Sequence, residues 1–426
     1  MNKIDLIIHS ASQLITCRSY GKLKKGNEMD ELGIIKNGAV AINENKILAA
    51  GETNKILKEY DSNKTINAKG KVVCPAFIDP HTHIVFGGNR LNEFELKIKG
   101  ASYLEIMEAG GGIVNTVLNT RKANIDELVS RAMERLDVML ELGTTTVEIK
   151  TGYGLDNTTE LKMLEVIAEL DKTHLADIVP TFLAAHAIPE EWKGKEGEFT
   201  NLICQEMIPD AWTWYENSHF YEKRTPIFID VFCEKGAFNL EQSKKVIQTA
   251  KEFGFRVKSH VDEFTNLGCA EYAIENNAVS IDHLDATSDR ELTLLAKSET
   301  VGVVTPTVNF NLGSNEFANA RKMIDKGCGI ALSTDYNPGS APCPSQPLAM
   351  AISCRYQKLL PSEAFNAVTV NAAFAIGMGD RFGSIEAGKQ ADLLILETDD
   401  YRQAAYEFGR NFITRVFKSG NVVVSS

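Results

Sequence analysis

The chain has 426 residues, of which 44% are hydrophobic, 24% charged and 8% aromatic. This is an ordinary globular mixture, not a disordered or fibrous one. With 57 acidic and 45 basic residues the formal charge is −12, which argues against a general nucleic-acid binder, and no run approaches the roughly 18 apolar residues of a membrane-spanning helix.

Met1 to Ser10, with Lys3 and Asp5 around a very short apolar run, does not read as a signal peptide. Residues 4–17, 34–50 and 65–74 then read as short strands broken by Gly/Asn turns. From there strands alternate with helices. Strands are expected at 73–83, 144–150, 177–186, 227–236, 255–260, 278–283, 301–307 and 329–335. Helical periodicity covers 125–142, 158–172, 240–253, 267–276, 288–297 and 316–326. Segment 211–226 (AWTWYENSHFYEKRTP) reads as a long aromatic loop after the third of these strands. Residues 384–426 return to strands and turns, with a hairpin signal at KSGN. Eight strands with intervening helices is the count for a parallel (β/α)8 barrel, over 73–383; a doubly wound sheet is the alternative. Residues 1–72 and 384–426 are each too short for a core of their own and are expected to join in one small β-sandwich. Eight cysteines without a CxxC read as reduced thiols, which suits a cytoplasmic protein.

The expected strand ends carry unusual residues. The first ends in His81-Thr82-His83, whose period of two puts both imidazoles on one side. The third ends in His186, the fifth in His260, the sixth in His283 and the eighth in Asp335. Five of the eight histidines therefore sit where a closed barrel gathers its strand ends, whereas a flat sheet would spread them. Imidazoles with one carboxylate suit zinc or iron. His9, His174 and His219 fall outside this set, and Gly110 to Gly112 read as a flexible lid turn without the Lys-Ser/Thr of a phosphate loop.

PAFIDPHTH followed by SHVDE, VSIDH and LSTD resembles the metal-dependent amidohydrolase superfamily. FIDPHTHIVFGGNR (77–90), GGGI (110–113), EIKTGYGL (148–155), PTFLAAHAIP (180–189), IDVFCEKGAF (229–238) and STDYNPGS (333–340) resemble, within it, the imidazolonepropionase family of ring-opening hydrolases. The resemblance spans nearly the whole chain. It implies hydrolysis of a cyclic C–N bond of imidazolone propionate in histidine degradation, with one Zn²⁺ or iron ion per chain and a small molecule, rather than nucleic acid or membrane, as partner. A homodimer is expected. His81, His83, His260 and Asp335 match the family's metal ligands; Glu263, His283 and Asp335 match its proton-transfer positions; Arg90, Tyr153, His186, Glu263, Asn337, Gly339 and Ser340 match its substrate positions. Arg90 suits a carboxylate tail as a planar donor, and the turn at Gly339 and Ser340 offers backbone N–H groups. Lys150 is read as structural, although some amidohydrolases use a modified lysine to bridge two metals. A deaminase or cyclic amidase of the superfamily would share the ligands without requiring Arg90 and Tyr153; a barrel that had lost catalysis would lack some ligands.

Overall fold

The structure, a computed structural model, describes residues 1–100 and 111–425; Gly110 of the expected lid turn lies outside them. Among the described residues, eight successive parallel strands form the barrel wall: Phe77–Thr82, Thr144–Lys150, Asp177–Ala185, Phe228–Cys233, Arg256–Val257 continuing as His260–Val261, Ser280–His283, Val301–Val304 and Ile330–Leu332. Each pairs with its neighbour in sequence order, as a barrel of βα units requires. They are buried on both faces, so they read as near-continuous runs and not as alternating ones. Closure between the eighth and first strands rests on few backbone contacts. His83 N–H donates to the Tyr336 carbonyl at 2.9 Å, and Asp79 accepts from the Ser333 hydroxyl at 2.6 Å and from the Thr334 hydroxyl.

Helices start where the sequence places caps. Asn124 with Glu127, Asn239 with Gln242 and Ser288 with Glu291 form reciprocal capping boxes before Ile125–Glu141, Leu240–Phe253 and Asp289–Lys297. The segment expected as a long loop is a correction: it is helical, with Ile208–Glu216 and His219–Glu222 following Glu196–Leu202 and a wider turn at Ile203–Met207. Ile208, Ala211 and Tyr215 recur at helical spacing and are buried, and Pro209 stands just after the wider turn at Ile203–Met207, through which the helix runs on without a break. Trp212 packs on Phe255, ring centroids 5.2 Å apart.

The two chain ends share one mixed sheet. Its order runs Asn421–Ser425, Ile413–Lys418, Leu393–Leu396, Val72–Pro75, Leu6–Ile15, Ile34–Asn43 and Lys46–Glu52, with Thr65–Asn67 beside Leu6–Ile15. Leu14, Val40, Val73, Leu393 and Phe417 belong to one buried cluster built from both ends, while Ile7, Ala39, Ala41 and Ile56 form a smaller cluster from the N-terminal end alone. Ala76 separates the strand that joins this sheet from the first barrel strand. The Lys418 ammonium, nearly buried, pairs with Asp392 at 2.6 Å within the chain-end unit and ties it to the barrel through Asp177, the first residue of the third barrel strand. All eight cysteines are free thiols, and no helix among the described residues is long and apolar enough to cross a membrane.

Candidate active site and metal centre

The strand ends converge. His81 and His83 Nε2 lie 3.3 Å apart, His83 and His260 Nε2 also 3.3 Å, and Asp335 Oδ1 lies 3.5 Å from both His81 and His83 Nε2. Four donors on a sphere of about 2.1 Å radius are separated by roughly 3.4 Å in a tetrahedron, so these spacings are the edges of a metal-sized cage. The chemistry of the set agrees. Burial, then neighbouring positive charge, holds His81 and His83 well below the ordinary imidazole range, so both are neutral near pH 7 and can offer lone pairs. Asp335 Oδ1 is buried with no hydrogen-bond partner. A cation would satisfy it.

Beneath the cage the imidazoles are held from behind. His81 Nδ1 lies 2.6 Å from Asp282 Oδ2, and His260 Nδ1 lies 2.9 Å from Asp230 Oδ2. Lys150, fully buried, sits 2.9 Å from Asp230, 2.8 Å from Glu148 and 3.7 Å from Asp282. Against the cost of burial, Asp230 and Glu148 raise the Lys150 pKa. Its ammonium is thus committed to three carboxylates. Such partners fix the tautomer and aim of a metal-binding histidine. Sequence reasoning passed over Asp230, Asp282 and Glu148. Their period of two with Phe232, Ser280 and Lys150 along inward-facing strands was the available signal.

His283 stands beside the cage, its ring centroid 5.2 Å from that of His81 and 5.1 Å from that of His260. Its Nδ1 is 3.1 Å from the Thr305 hydroxyl, while its Nε2 is buried without a hydrogen bond and lies 3.9 Å from Glu263 Oε2. The backbone of His283 is forced to φ 84, and that of Asp335 to φ 47. Such conformations are uncommon for residues with side chains and cluster at functional sites. Burial, followed by the charges of Asp335, Asp285 and Glu234, pushes the Glu263 carboxyl well above its ordinary value.

The remaining expected residues stand around the same strand ends. His186 stacks on His83 at 5.0 Å, and its Nδ1 donates to the Gly152 carbonyl at 2.9 Å. Burial, then His260, lowers its pKa to about 3. The neutral ring therefore presents Nε2 as an acceptor. The Tyr153 ring packs against both His83 and His186, and burial keeps its phenol protonated. In the turn after the eighth strand, Asn337 Oδ1 accepts from the N–H groups of Gly339 and Ser340, each at 2.8 Å. Those amides are therefore engaged. The Ser340 hydroxyl oxygen accepts from Asn337 Nδ2 at 2.9 Å, which leaves its hydrogen free to donate. Arg90 crosses to this turn and lies against Gly339. His174 and His219 sit elsewhere, near Asp137 and Asp171.

The family model described as "Amidohydrolase family" matches residues 233–423. The chain is 50% identical to an imidazolonepropionase of Chloroflexus aggregans over 426 residues, 100% of both chains. It is 47% identical to an imidazolonepropionase of Herpetosiphon aurantiacus over 97% of each. An adenosine deaminase from Xanthomonas campestris, solved with bound zinc, superposes with a TM-score of 0.69 at 18% identity, covering 100% of this chain and 94% of that one. That last likeness is one of fold. The two full-length identities decide the family: the chain is a member of the imidazolonepropionases, within the amidohydrolase superfamily.

Proposed function

We propose that the chain hydrolyses the ring C–N bond of 4-imidazolone-5-propanoate to N-formimidoyl-L-glutamate, a step of histidine degradation, using one metal ion, zinc or iron, held by His81, His83, His260 and Asp335. The observation that carries this reading is the approach of His81, His83 and His260 to one another and of Asp335 to His81 and His83, with Tyr153 and His186 packed on His83, Glu263 near His283, and Arg90 against Gly339. The full-length relatives named imidazolonepropionase support it.

When bound there, the metal supplies Lewis acidity and lowers the pKa of a water it holds. Asp335 and His283 border that place and can take the water's proton. Glu263, biased toward its acid form by burial, can deliver a proton to the ring nitrogen as the C–N bond breaks. His186 Nε2 accepts from a ring N–H, and the Tyr153 phenol donates. Arg90 meets the propionate, with the Ser340 hydroxyl as a second donor and Asn337 holding the turn in shape.

Chelated protein refilled with one equivalent of zinc or ferrous iron tests the reading: imidazolone propionate should lose its ultraviolet absorbance only after refilling. His260→Ala should bind less metal and stay inactive. Turnover by the metal-free chain would contradict the reading, and optimal activity at two ions per chain would restore a bridging role for Lys150. The eight free thiols support a cytoplasmic setting, and pairing of two copies is part of the same proposal.

A further inference from the structure

Glu93 is the third residue of the helix Leu91–Ile98, which begins right after Arg90. Its side chain is only 6% exposed. One carboxylate gathers four donors. Arg90 gives Nε at 2.7 Å and also Nη2, the Gly112 amide gives its N–H at 2.8 Å, and Lys97 Nζ stands 3.1 Å away. Gly112 turns through φ 79, a conformation suited to glycine, so the amide can reach Glu93 at the start of the helix Ile113–Lys122.

The Nε–Nη2 edge of the guanidinium is therefore already spent inside the protein. The Nη1 end is not. A β-carbon on Gly339 would lie 2.0 Å from Nη1, so this end lies directly against the turn that follows the eighth strand, two residues from Asn337 and beside Ser340. Arginine loses considerable rotamer freedom when it is held in one place. Here that ordering is done before substrate arrives.

We propose that Glu93 is the positioning residue of the tail subsite: it grips Arg90 by one edge so that Nη1 alone is presented over Gly339 to the substrate's carboxylate, at a fixed distance from the metal cage. The inference rests on the reading of Arg90 as the cation for the propionate. It differs from a free arginine fork in one consequence: the contact is one-ended, so its strength depends on aim more than on net charge, which Glu93 largely neutralises.

The test is a double-mutant cycle on metal-replete enzyme, with Glu93→Gln, Arg90→Met and the pair, assayed on imidazolone propionate and on a neutral imidazolone lacking the carboxylate. Glu93→Gln should raise KM for the propionate substrate by about 3–10-fold, the worth of one immobilised side chain, with kcat nearly unchanged. It should leave the neutral substrate unaffected, and it should add nothing once Arg90 is Met. An effect that persists in the Arg90→Met background, or that falls equally on the neutral substrate, would make Glu93 a prop for the fold and overturn the proposal. An unchanged or lower KM would show that Glu93 merely subtracts charge, and would overturn it as well. Failure of the parent enzyme to open the ring would instead overturn the functional reading and the inference with it.

Discussion

At neutral pH a solvated glutamate has lost its proton; Glu263, buried beside Asp335, Asp285 and Glu234, holds its proton to much higher pH. If that proton serves ring opening, Glu263→Gln should cut kcat by about 10²–10⁴-fold while metal content stays at one ion per chain, as elemental analysis would show. A near-normal kcat would move the proton work to His283 and Asp335. Glu93 is the opposite case. Burial raises its pKa, but the Arg90 and Gly112 hydrogen bonds outweigh that and bring it down to about 2 from an ordinary 4.5. A depressed carboxylate stabilises the fold fully above its unfolded pKa and loses that contribution as pH falls through the folded one. Thermal melts of Glu93→Gln should therefore show a shallower loss of stability than the parent between pH 4.5 and 2. Equal slopes would mean that the pair contributes nothing. His81, His83, His260 and Asp335 were legible in the sequence because each ends a strand. Glu93 was not, because its role depends on Gly112 approaching from nineteen residues downstream, a contact that no local pattern encodes.

Elements were legible where period and caps agreed. Ile125–Glu141, Leu240–Phe253 and Asp289–Lys297 begin within a residue of the expected starts, each behind an Asn or Ser cap. Segment 211–226 misled because Trp212, Trp214 and Tyr221 look like loop aromatics in sequence, while the residues that make it a helix, Ile208 and Ala211, begin before it. Trp212 holds this insert to the barrel by packing on Phe255 and against Gly254, where a β-carbon would come within 2.7 Å of the indole. Trp212→Ala should cost about 2–4 kcal/mol of stability by chemical denaturation, with kcat/KM unchanged because the insert lies away from the strand ends that build the site. A loss of activity without a loss of stability would place the insert in the catalytic cycle.

At the scale of the whole molecule the barrel gathers the chemistry, and the sheet made from both chain ends closes the fold beside it. The expectation that the ends meet came from their shared strand-and-turn texture; their pairing order could not be read, since Val72–Pro75 inserts between Leu6–Ile15 and Leu393–Leu396 through contacts distant in sequence. Removing residues 411–426 takes Phe417 from the core that Leu14 and Val40 share, so amide exchange in Leu6–Ile15 should quicken along with that of Leu393–Leu396. Unchanged exchange in the N-terminal strand would mean that the ends are independent. The central claim joins this fold to one reaction, and product analysis tests it most directly. Metal-replete enzyme given 4-imidazolone-5-propanoate should yield one N-formimidoyl-L-glutamate for each substrate consumed and release no ammonia. Ammonia release, or an unaltered substrate, would contradict it.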